Sequence, residues 1–330
     1  MAKFVYPKFG VTNPIYQKIV TSFPSGMQMA FAYGSGVFKQ QGQTETSQKM
    51  MDFIFVVNDP VSWHRQNLKE NAHHYSFLRR YGPGVISAIQ ESSAGLYFNP
   101  MVPFGDRLIK YGVISNWAMA QDLVQWRHLY ISGRLHKPVV MVKSPDDEKA
   151  NDALKTNLKS AVHTSLLLLP EKFTEVDLFM QISSLSYTGD IRMSFGEDQN
   201  KVRNIVNGGI DNFRILYKPL LLNSDFLHWD TEKKCFEQEY SHRARRYHLD
   251  LVPGNILRYI YSREVETLDG LRDVLAQDRQ CNNKLYDALQ KTVSRSSKTQ
   301  SAKGILTGGF SRSTKYGADK VKKWFGSRNK

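Results

Sequence analysis

The stretch Met27-Gln-Met-Ala-Phe-Ala-Tyr33 is a short apolar run that stops abruptly at Gly34-Ser35-Gly36. A run of this length bounded by glycines predicts a buried strand that ends in a tight turn. A second strand is predicted at Phe53-Ile-Phe-Val-Val57, led by Asp52, after a polar loop at residues 39–49. The sequence therefore places a Gly-Ser turn and a strand carboxylate one loop apart.

The next ninety residues alternate between helix and strand signals. Asp59-Pro60 predicts a helix start, and this helix is expected to run to about Arg80, where Gly82-Pro-Gly84 breaks it. The remaining segments up to Pro145 predict a short helix, two strands and a last helix, at residues 85–90, 96–98, 108–114 and 118–130. Together they predict an α/β unit over residues 1–145.

Helical patterns dominate after residue 145. Apolar residues recur at helical spacing from Leu154 to Leu166, and Thr174 with Asp177 forms a capping-box signal. A turn and short strand are predicted at residues 187–195, a helix at 199–217, and helices at 268–275 and 285–293, whereas residues 223–248 are weakly patterned. We predict an α+β protein with a mixed sheet in residues 1–145, a mainly helical domain in 146–290 and a tail in 291–330.

Composition and charge exclude several classes of protein. The 330 residues are 41% hydrophobic and 23% charged, which is ordinary globular composition, and no apolar run approaches the ~20 residues of a membrane-spanning helix. Two cysteines are too few for a disulfide framework. The net charge is +14, but residues 291–330 hold eleven Lys or Arg against one acid, so the body carries only +4. A body this close to neutral argues against a nucleic-acid partner, and no stable protein partner is indicated.

The Gly-Ser turn and Asp52 have the residue types that phosphate and Mg²⁺ binding need. Glycine lets backbone N–H groups approach phosphate, Ser35 adds a hydroxyl donor, and a carboxylate supplies hard oxygen to Mg²⁺. The alternative is a plain turn beside a solvated Asp. This layout resembles that of the nucleotidyltransferase superfamily, in which a second acid lies two residues after the first on the same strand face. Here that position is Ile54, and we weigh Asp59 and Asp190 as the replacement.

Longer segments resemble one family in order. They are Phe31-Ala-Tyr-Gly-Ser-Gly-Val-Phe38, Met51-Asp-Phe-Ile-Phe55, Asp59-Pro with Trp63-His64, His74-Tyr-Ser-Phe77, Arg107-Leu-Ile-Lys-Tyr-Gly-Val-Ile-Ser115, Ser132-Gly-Arg-Leu-His-Lys-Pro138, Leu158-Lys-Ser-Ala161 and Leu185-Ser-Tyr-Thr-Gly-Asp-Ile-Arg-Met193 with Gly196-Glu-Asp198 and Lys201. These segments resemble the mitochondrial phosphatidate cytidylyltransferases of the translocator assembly and maintenance family. The resemblance covers residues 25–217, and residues 218–290 match poorly.

This resemblance implies a reaction and a location. CTP and phosphatidate would give CDP-diacylglycerol and pyrophosphate with Mg²⁺ required, for mitochondrial cardiolipin synthesis. It also implies a nucleotidyltransferase domain, a winged-helix-like helical domain, and a peripheral position on the matrix side of the mitochondrial inner membrane.

Within this frame Asp52 is the expected metal ligand, and Asp52, Lys110 and Asp190 are the expected catalytic residues. Gly34, Ser35, Gly36 and Arg192 are expected to bind the nucleotide. Lys110 lies on the opposite strand face from Ile109 and Tyr111, so it either neutralises the triphosphate or is an exposed strand lysine. Arg134 and Lys137 either meet phosphates or are solvated loop charges. Asp190 and Arg192 either contact metal and phosphate or pair with each other. The histidines His64, His73 and His74 are expected on a helix surface or at the edge of the core.

The tail has an amphipathic pattern. Val321, Trp324 and Phe325 fall at helical spacing with Lys320 and Lys323 among them. Such a helix suits the interface of an anionic membrane, so these five residues are the predicted membrane contact. The alternative is a disordered or RNA-binding basic tail.

Two other functions fit parts of the sequence. A nucleotidyltransferase acting on RNA would use the basic tail, but it needs a more positive body than +4. A non-catalytic scaffold for membrane translocators would explain the apolar residue at Ile54 as a degenerate site.

Overall fold

Five strands form one mixed sheet in the order β3-β4-β2-β1-β5. Their bounds are Met27–Tyr33 (β1), Met51–Val57 (β2), Leu96–Phe104 (β3), Arg107–Ser115 (β4) and Val140–Lys143 (β5). Only β2 and β4 pair in parallel. The computed structural model describes residues 4–9, 13–38, 49–194, 200–221, 224–260 and 267–308. The α+β class and the strands predicted on either side of Gly34 are confirmed.

The two faces of this sheet bury different sets of side chains. Ala32, Phe53 and Phe55 point to the face covered by α1 (Pro14–Thr21) and α2 (Pro60–Asn71). Phe31 and Ile54 point to the other face, where one continuous core joins them to the helices that follow residue 145. Because of this shared core, the first two predicted domains pack as a single body.

The helix predicted to run from Pro60 to Arg80 ends earlier, at Asn71. Two 3₁₀ turns, Ala72–His74 and Phe77–Tyr81, follow it. The break lets the Tyr75 hydroxyl reach back to His64 Nδ1 and accept from Asn67 Nδ2, both at 2.8 Å. This pairing holds His64 in the core, where burial lowers its pKa to about 4.

Gly82-Pro-Gly84 opens a helix instead of breaking one. Gly82 takes a φ of 80°, and Pro83 lies in the first turn of α3 (Gly82–Glu91). Proline is tolerated there because the first N–H groups of a helix have no intrahelical acceptor.

The helix predicted over residues 118–130 also stops short. It is α4 (Asn116–Gln125), and it ends where Trp126 adopts a left-handed conformation with a φ of 49°. A short helix, α5 (Ile131–Leu135), follows before β5.

The second half of the chain is mainly helical, as predicted. Its helices are α6 (Glu148–Leu168), α7 (Glu175–Ser184), α8 (Ile191–Ser194), α9 (Lys201–Leu221), α10 (His242–Asp250), α11 (Gly254–Arg258), α12 (Leu268–Gln277) and α13 (Cys281–Gly308). The capping box of Thr174 and Asp177 is present at the start of α7. The expected strand after Gly189 is instead the helical turn α8, because the Asp190 side chain accepts from the Arg192 backbone N–H and caps that turn.

The weakly patterned region 223–248 contains a hairpin that its sequence pattern did not predict. Strands β7 (Leu227–Asp230) and β8 (Cys235–Gln238) join β6 (Lys172–Thr174) in a second sheet ordered β6-β8-β7. These strands are three or four residues long and sparsely apolar, so they carry little alternation for a pattern to detect.

The last helix returns to the first sheet. Gln300 Nε2 of α13 donates to the carbonyl oxygen of Leu96 at 3.3 Å, and Lys303 Nζ donates to those of Gln90, at 3.1 Å, and Ser92. Burial lowers the pKa of Lys303 to about 8. The predicted boundary at residue 291 therefore falls inside a packed helix, and residues 291–308 belong to the folded body.

None of the helices in the described ranges combines the length and apolar character that crossing a membrane requires. The predicted membrane contacts Lys320, Val321, Lys323, Trp324 and Phe325 lie outside the described residues.

Candidate active site

The turn after β1 brings backbone close to Asp52. Gly34 has a φ of 83°, which favours glycine, and its carbonyl oxygen accepts from the N–H groups of Val37 and Phe38, both at 3.0 Å. A Cβ atom on Gly34 would lie 3.3 Å from Asp52 Oδ2, and one on Gly36 would collide with the Met50 carbonyl. The missing side chain of Gly34 leaves a cradle beside the Asp52 carboxylate, whereas Gly36 lets the turn pack against the Met50 backbone, and Ser35 lies between the two glycines.

Asp52 and Lys110 face each other on adjacent strands. They are register partners across the parallel pair β2 and β4, and Lys110 Nζ lies 3.4 Å from Asp52 Oδ1. Lys110 also sits 4.6 Å above the Phe98 ring. The expectation that Lys110 lies opposite Ile109 and Tyr111 is confirmed, since both of those pack in the core on the other face.

Ile54 occupies the position at which the nucleotidyltransferase superfamily has its second carboxylate, and it lies in the core. Ile54 is fully buried, and a Cβ atom on Gly112 would come within 2.9 Å of Ile54 Cδ1. An acid there would lose its solvation with no partner, which is costly. The strand therefore supplies one carboxylate to this face.

Two aromatic and two basic side chains line the wall beside Asp52. Arg134 places its guanidinium carbon 4.5 Å from the centre of the Tyr33 ring and 5.1 Å from that of Tyr130, and Arg192 lies 5.9 Å from Tyr130. Burial opposes ionisation of Tyr130, but Arg134, Arg192 and Lys110 outweigh it and lower the pKa of the hydroxyl to about 7. This pKa reports a strongly positive local potential.

A buried acid holds this wall in place. Asp122 accepts the backbone N–H groups of His128, Leu129, Tyr130, Ile131 and Ser132 at 2.7 to 3.1 Å. These bonds fix the loop that follows Trp126 and set the start of α5, which carries Arg134. Sequence reasoning missed Asp122, Tyr33 and Tyr130, because their spacing matches no motif and only the folded loop brings them together.

A second pair of cations lies next to this wall. Lys137 Nζ donates to Ser186 Oγ at 3.0 Å and to the Gly133 carbonyl oxygen. The centre of the Tyr187 ring lies 5.0 Å from Lys137 Nζ and 5.3 Å from Lys201 Nζ. Removal from water, Arg134 and Lys201 together lower the pKa of Lys137 well below its usual value. Within the described ranges, no carboxylate forms an ion pair with Lys137.

The two candidates for the second acid differ in position. Asp59 caps α2, accepting from the Ser62 N–H at 3.1 Å, and it lies past the far end of β2 from Asp52. Asp190 is nearly fully buried, and both of its oxygens accept from Arg192, with Nη2 to Oδ2 at 2.5 Å and Nε to Oδ1 at 2.9 Å. Asp59 and Asp52 thus lie at opposite ends of β2, and Asp190 forms the ion pair with Arg192 that the sequence analysis gave as one of its two alternatives.

Several buried polar atoms at the site have no hydrogen-bond partner among the described residues: Asp52 Oδ1, the Tyr33 hydroxyl and Arg134 Nε. Buried polar groups are normally hydrogen-bonded, so orphans that cluster on one wall indicate a place for a polar ligand. In the described part of the chain, no three His, Cys, Asp or Glu side chains are grouped as a metal site. Asp52, whose Oδ1 makes no hydrogen bond among the described residues, offers the hard carboxylate oxygen that Mg²⁺ prefers.

A glycine cradle, a strand carboxylate and converging cations on one sheet face are typical of enzymes that transfer nucleotidyl groups. The comparisons with known proteins agree. The family model for mitochondrial phosphatidate cytidylyltransferase matches residues 16–323, and the chain belongs to this family.

Relatives with that name match nearly the whole chain. The protein of Danio rerio is 44% identical over 325 residues, covering 96% of both chains, and that of Xenopus laevis is 42% identical over 317 residues, covering 93% of this chain and 94% of its own. The Schizosaccharomyces pombe protein is 38% identical over 325 residues, or 93% of this chain and 82% of its own. The family resemblance is confirmed. The match also includes residues 218–290, in which the sequence motifs showed only a poor resemblance.

A solved nucleotidyltransferase-like protein from Exiguobacterium sibiricum is 13% identical and covers 96% of this chain and 90% of its own. Its TM-score is 0.24, which is too low to indicate a shared fold.

Proposed function

We propose that this protein transfers CMP from CTP to phosphatidate, giving CDP-diacylglycerol and pyrophosphate. Family membership supports the reaction class. The observation that carries the proposal is Asp52 at the Gly34 turn: its Oδ1 accepts no hydrogen bond from the described residues and faces the Lys110 ammonium at 3.4 Å.

The reaction needs positioning more than acid–base chemistry. A phosphate oxygen of phosphatidate attacks the α-phosphorus of CTP, and the bond from that phosphorus to the bridging oxygen breaks, releasing pyrophosphate. The attacking oxygen is ionised at neutral pH, so no strong general base is required. Catalysis then depends on alignment and on neutralising charge as it develops.

The residues divide these tasks by position. Backbone N–H groups of the turn at Gly34, Ser35 and Gly36 face the triphosphate, and Lys110, Arg134 and Arg192 offset its charge. Asp190 keeps Arg192 in place by accepting hydrogen bonds from its guanidinium and its backbone N–H. Asp52 would hold Mg²⁺ against the phosphates, where the ion supplies Lewis-acid stabilisation of the phosphoryl oxygens.

The relatives are named mitochondrial, and we place the protein on the matrix side of the inner membrane as a peripheral protein that serves cardiolipin synthesis. Residues 309–330 carry seven Lys or Arg against Asp319, and they contain the Lys320, Val321, Lys323, Trp324 and Phe325 pattern. Attraction of such a segment to anionic lipid supports this location.

The test asks whether the protein transfers CMP to phosphatidate or to RNA. Purified protein is incubated with α-labelled CTP and Mg²⁺, and with either phosphatidate liposomes or RNA. Label in the lipid extract as CDP-diacylglycerol is the expected result. Label in RNA would instead favour the RNA nucleotidyltransferase, and label in neither would favour the non-catalytic scaffold.

A further inference from the structure

An apolar groove lies along α7. Leu169, Pro170, Phe173, Met180 and Val202 line it, and its volume is about 570 Å³. This volume falls in the range of small-molecule sites. Leu169 and Phe173 are buried at its base, whereas Met180 is partly exposed on its side.

One end of the groove adjoins the cations. Ser184 lines the groove, and its carbonyl oxygen accepts from the Tyr187 N–H at 2.8 Å. Both Lys137 and Lys201 contact the Tyr187 ring. Val202, on the opposite side of the groove, directly follows Lys201. Lys137 and Lys201 therefore lie near this end of the groove.

The other end lies away from the site. Helix α7 has ten residues and so spans about 15 Å, from Glu175 beside β6 to Ser184 beside Tyr187. Asp177 lines the groove near the start of this helix. Asp177 at that end repels an anionic head, whereas a phosphate near Lys137 and Lys201 favours their protonated forms, so an amphiphile is oriented with its anionic head toward the two lysines.

We propose that this groove holds an acyl chain of phosphatidate while Lys137 and Lys201 bind its phosphate. The proposal rests on the function proposed above and adds a subsite for the lipid acceptor. Charge complementarity supports it: Asp177 lines one end of the apolar groove, and Lys137 and Lys201 lie near its other end.

The test fills the groove and measures chain-length preference. Met180→Trp and Val202→Trp narrow it from opposite sides, and Val176→Trp is the matched control because Val176 is 40% exposed on the same helix and does not line the groove. Turnover of dioleoyl and dihexanoyl phosphatidate is measured in detergent micelles with saturating CTP, after thermal unfolding confirms that each variant folds.

We expect the dioleoyl-to-dihexanoyl ratio of kcat/KM to fall by about tenfold or more in the two groove variants, because buried methylenes lose their apolar contacts. The ratio should stay unchanged in Val176→Trp. Folded groove variants with the wild-type ratio would overturn the subsite. If the wild-type protein turns over neither lipid, the proposed function itself fails, so the two failures are distinguishable.

A second measurement needs no variant. Phosphatidate with a photoreactive diazirine at the end of its acyl chain is irradiated with the wild-type protein, and the adducts are mapped by mass spectrometry. Adducts at residues 169–184 or at Val202 are expected. Adducts found only elsewhere would contradict the groove, whatever the folding behaviour of the tryptophan variants.

Discussion

Asp52 and Lys110 form the pair around which the site is built, 3.4 Å apart on adjacent parallel strands. An ion pair in a partly exposed site contributes little to the free energy of folding. We therefore attribute to this pair a role in binding, in which the Asp52 carboxylate is held in position for a metal ion. The sequence could predict both residues because strand alternation fixes which face each side chain takes. Tyr33, Tyr130 and Asp122 could not be predicted, since their roles depend on a loop conformation that no periodicity encodes.

Gly34→Ala should weaken CTP binding about tenfold or more, because its Cβ atom enters the cradle 3.3 Å from Asp52 Oδ2. The left-handed backbone adds a strain of about 1 to 2 kcal/mol. Gly26→Ala is the matched control, with a φ of 92° and nothing within 4 Å of the added atom. Calorimetric titration with CTP checks both variants, and equal affinities would mean that the turn is only structural.

Tyr130 should titrate near neutral pH in the free protein. Its pKa is about 7 because Arg134, Arg192 and Lys110 outweigh the effect of burial. Bound CTP adds negative charge beside the hydroxyl and should raise this pKa. Near-ultraviolet difference spectra over a pH titration should show a transition that Tyr130→Phe removes and CTP moves upward. A wild-type spectrum identical to that of Tyr130→Phe around neutrality would contradict the assignment.

Helices and strands with clear capping or hydrophobic patterns could be predicted from the sequence, but the residues at which several helices end could not. The capping box at Thr174 and the strands around Gly34 follow from local chemistry. By contrast, α2 ends at Asn71 because of the buried contact between Tyr75 and His64, and α4 ends at Trp126 where Asp122 takes the following N–H groups. Tertiary hydrogen bonds of this kind outweigh helix propensity, and a single sequence does not display them.

The contact between α6 and α10 should make stability depend on pH. His163 Nδ1 and His248 Nδ1 lie 2.9 Å apart, and burial lowers their pKa values to about 3 and about 4. Each folded pKa lies below the unfolded value of about 6.5, so the unfolded state binds more protons and stability falls as pH drops through 6.5 toward 4. The expected slope is about 1.4 kcal/mol per pH unit for each histidine.

Urea unfolding between about pH 6 and pH 5 measures that slope. His248→Gln should reduce it by about one histidine's share, whereas His242→Gln should leave it unchanged because His242 is exposed. Equal slopes for the wild type and His248→Gln would show that His248 does not stay neutral in the folded protein.

For the whole molecule, α13 connects the helical half to the first sheet. Gln300 and Lys303 donate to backbone carbonyls at the start of β3 and the end of α3, so the chain is anchored through residue 308. The sequence predicted a tail from residue 291, because the basic charge begins there and charge alone does not reveal a buried lysine. Lys303 is 7% exposed despite that charge.

Two truncations distinguish the role of residues 297–308, which pack on the fold, from that of residues 309–330, the proposed membrane contact. Removing residues 309–330 should leave the free energy of unfolding nearly unchanged but reduce flotation with anionic liposomes, since it deletes a net charge of +6 worth about 1 kcal/mol per residue before screening. Removing residues 297–330 should also destabilise the fold by several kcal/mol, because Gln300, Lys303 and Thr307 are buried. Flotation of the shorter truncation as complete as that of the intact protein would place the membrane contact on the folded body.

The most direct test of the central claim compares Asp52→Asn with Asp59→Asn for transfer of label from α-labelled CTP to phosphatidate. Asp52→Asn keeps the shape but removes the charge, and the loss of transition-state stabilisation should lower turnover by about a hundredfold or more. Asp59→Asn should retain near wild-type turnover, because Asn caps α2 as well as Asp does. Turnover by a folded Asp52→Asn protein within a few-fold of the wild type would contradict the account.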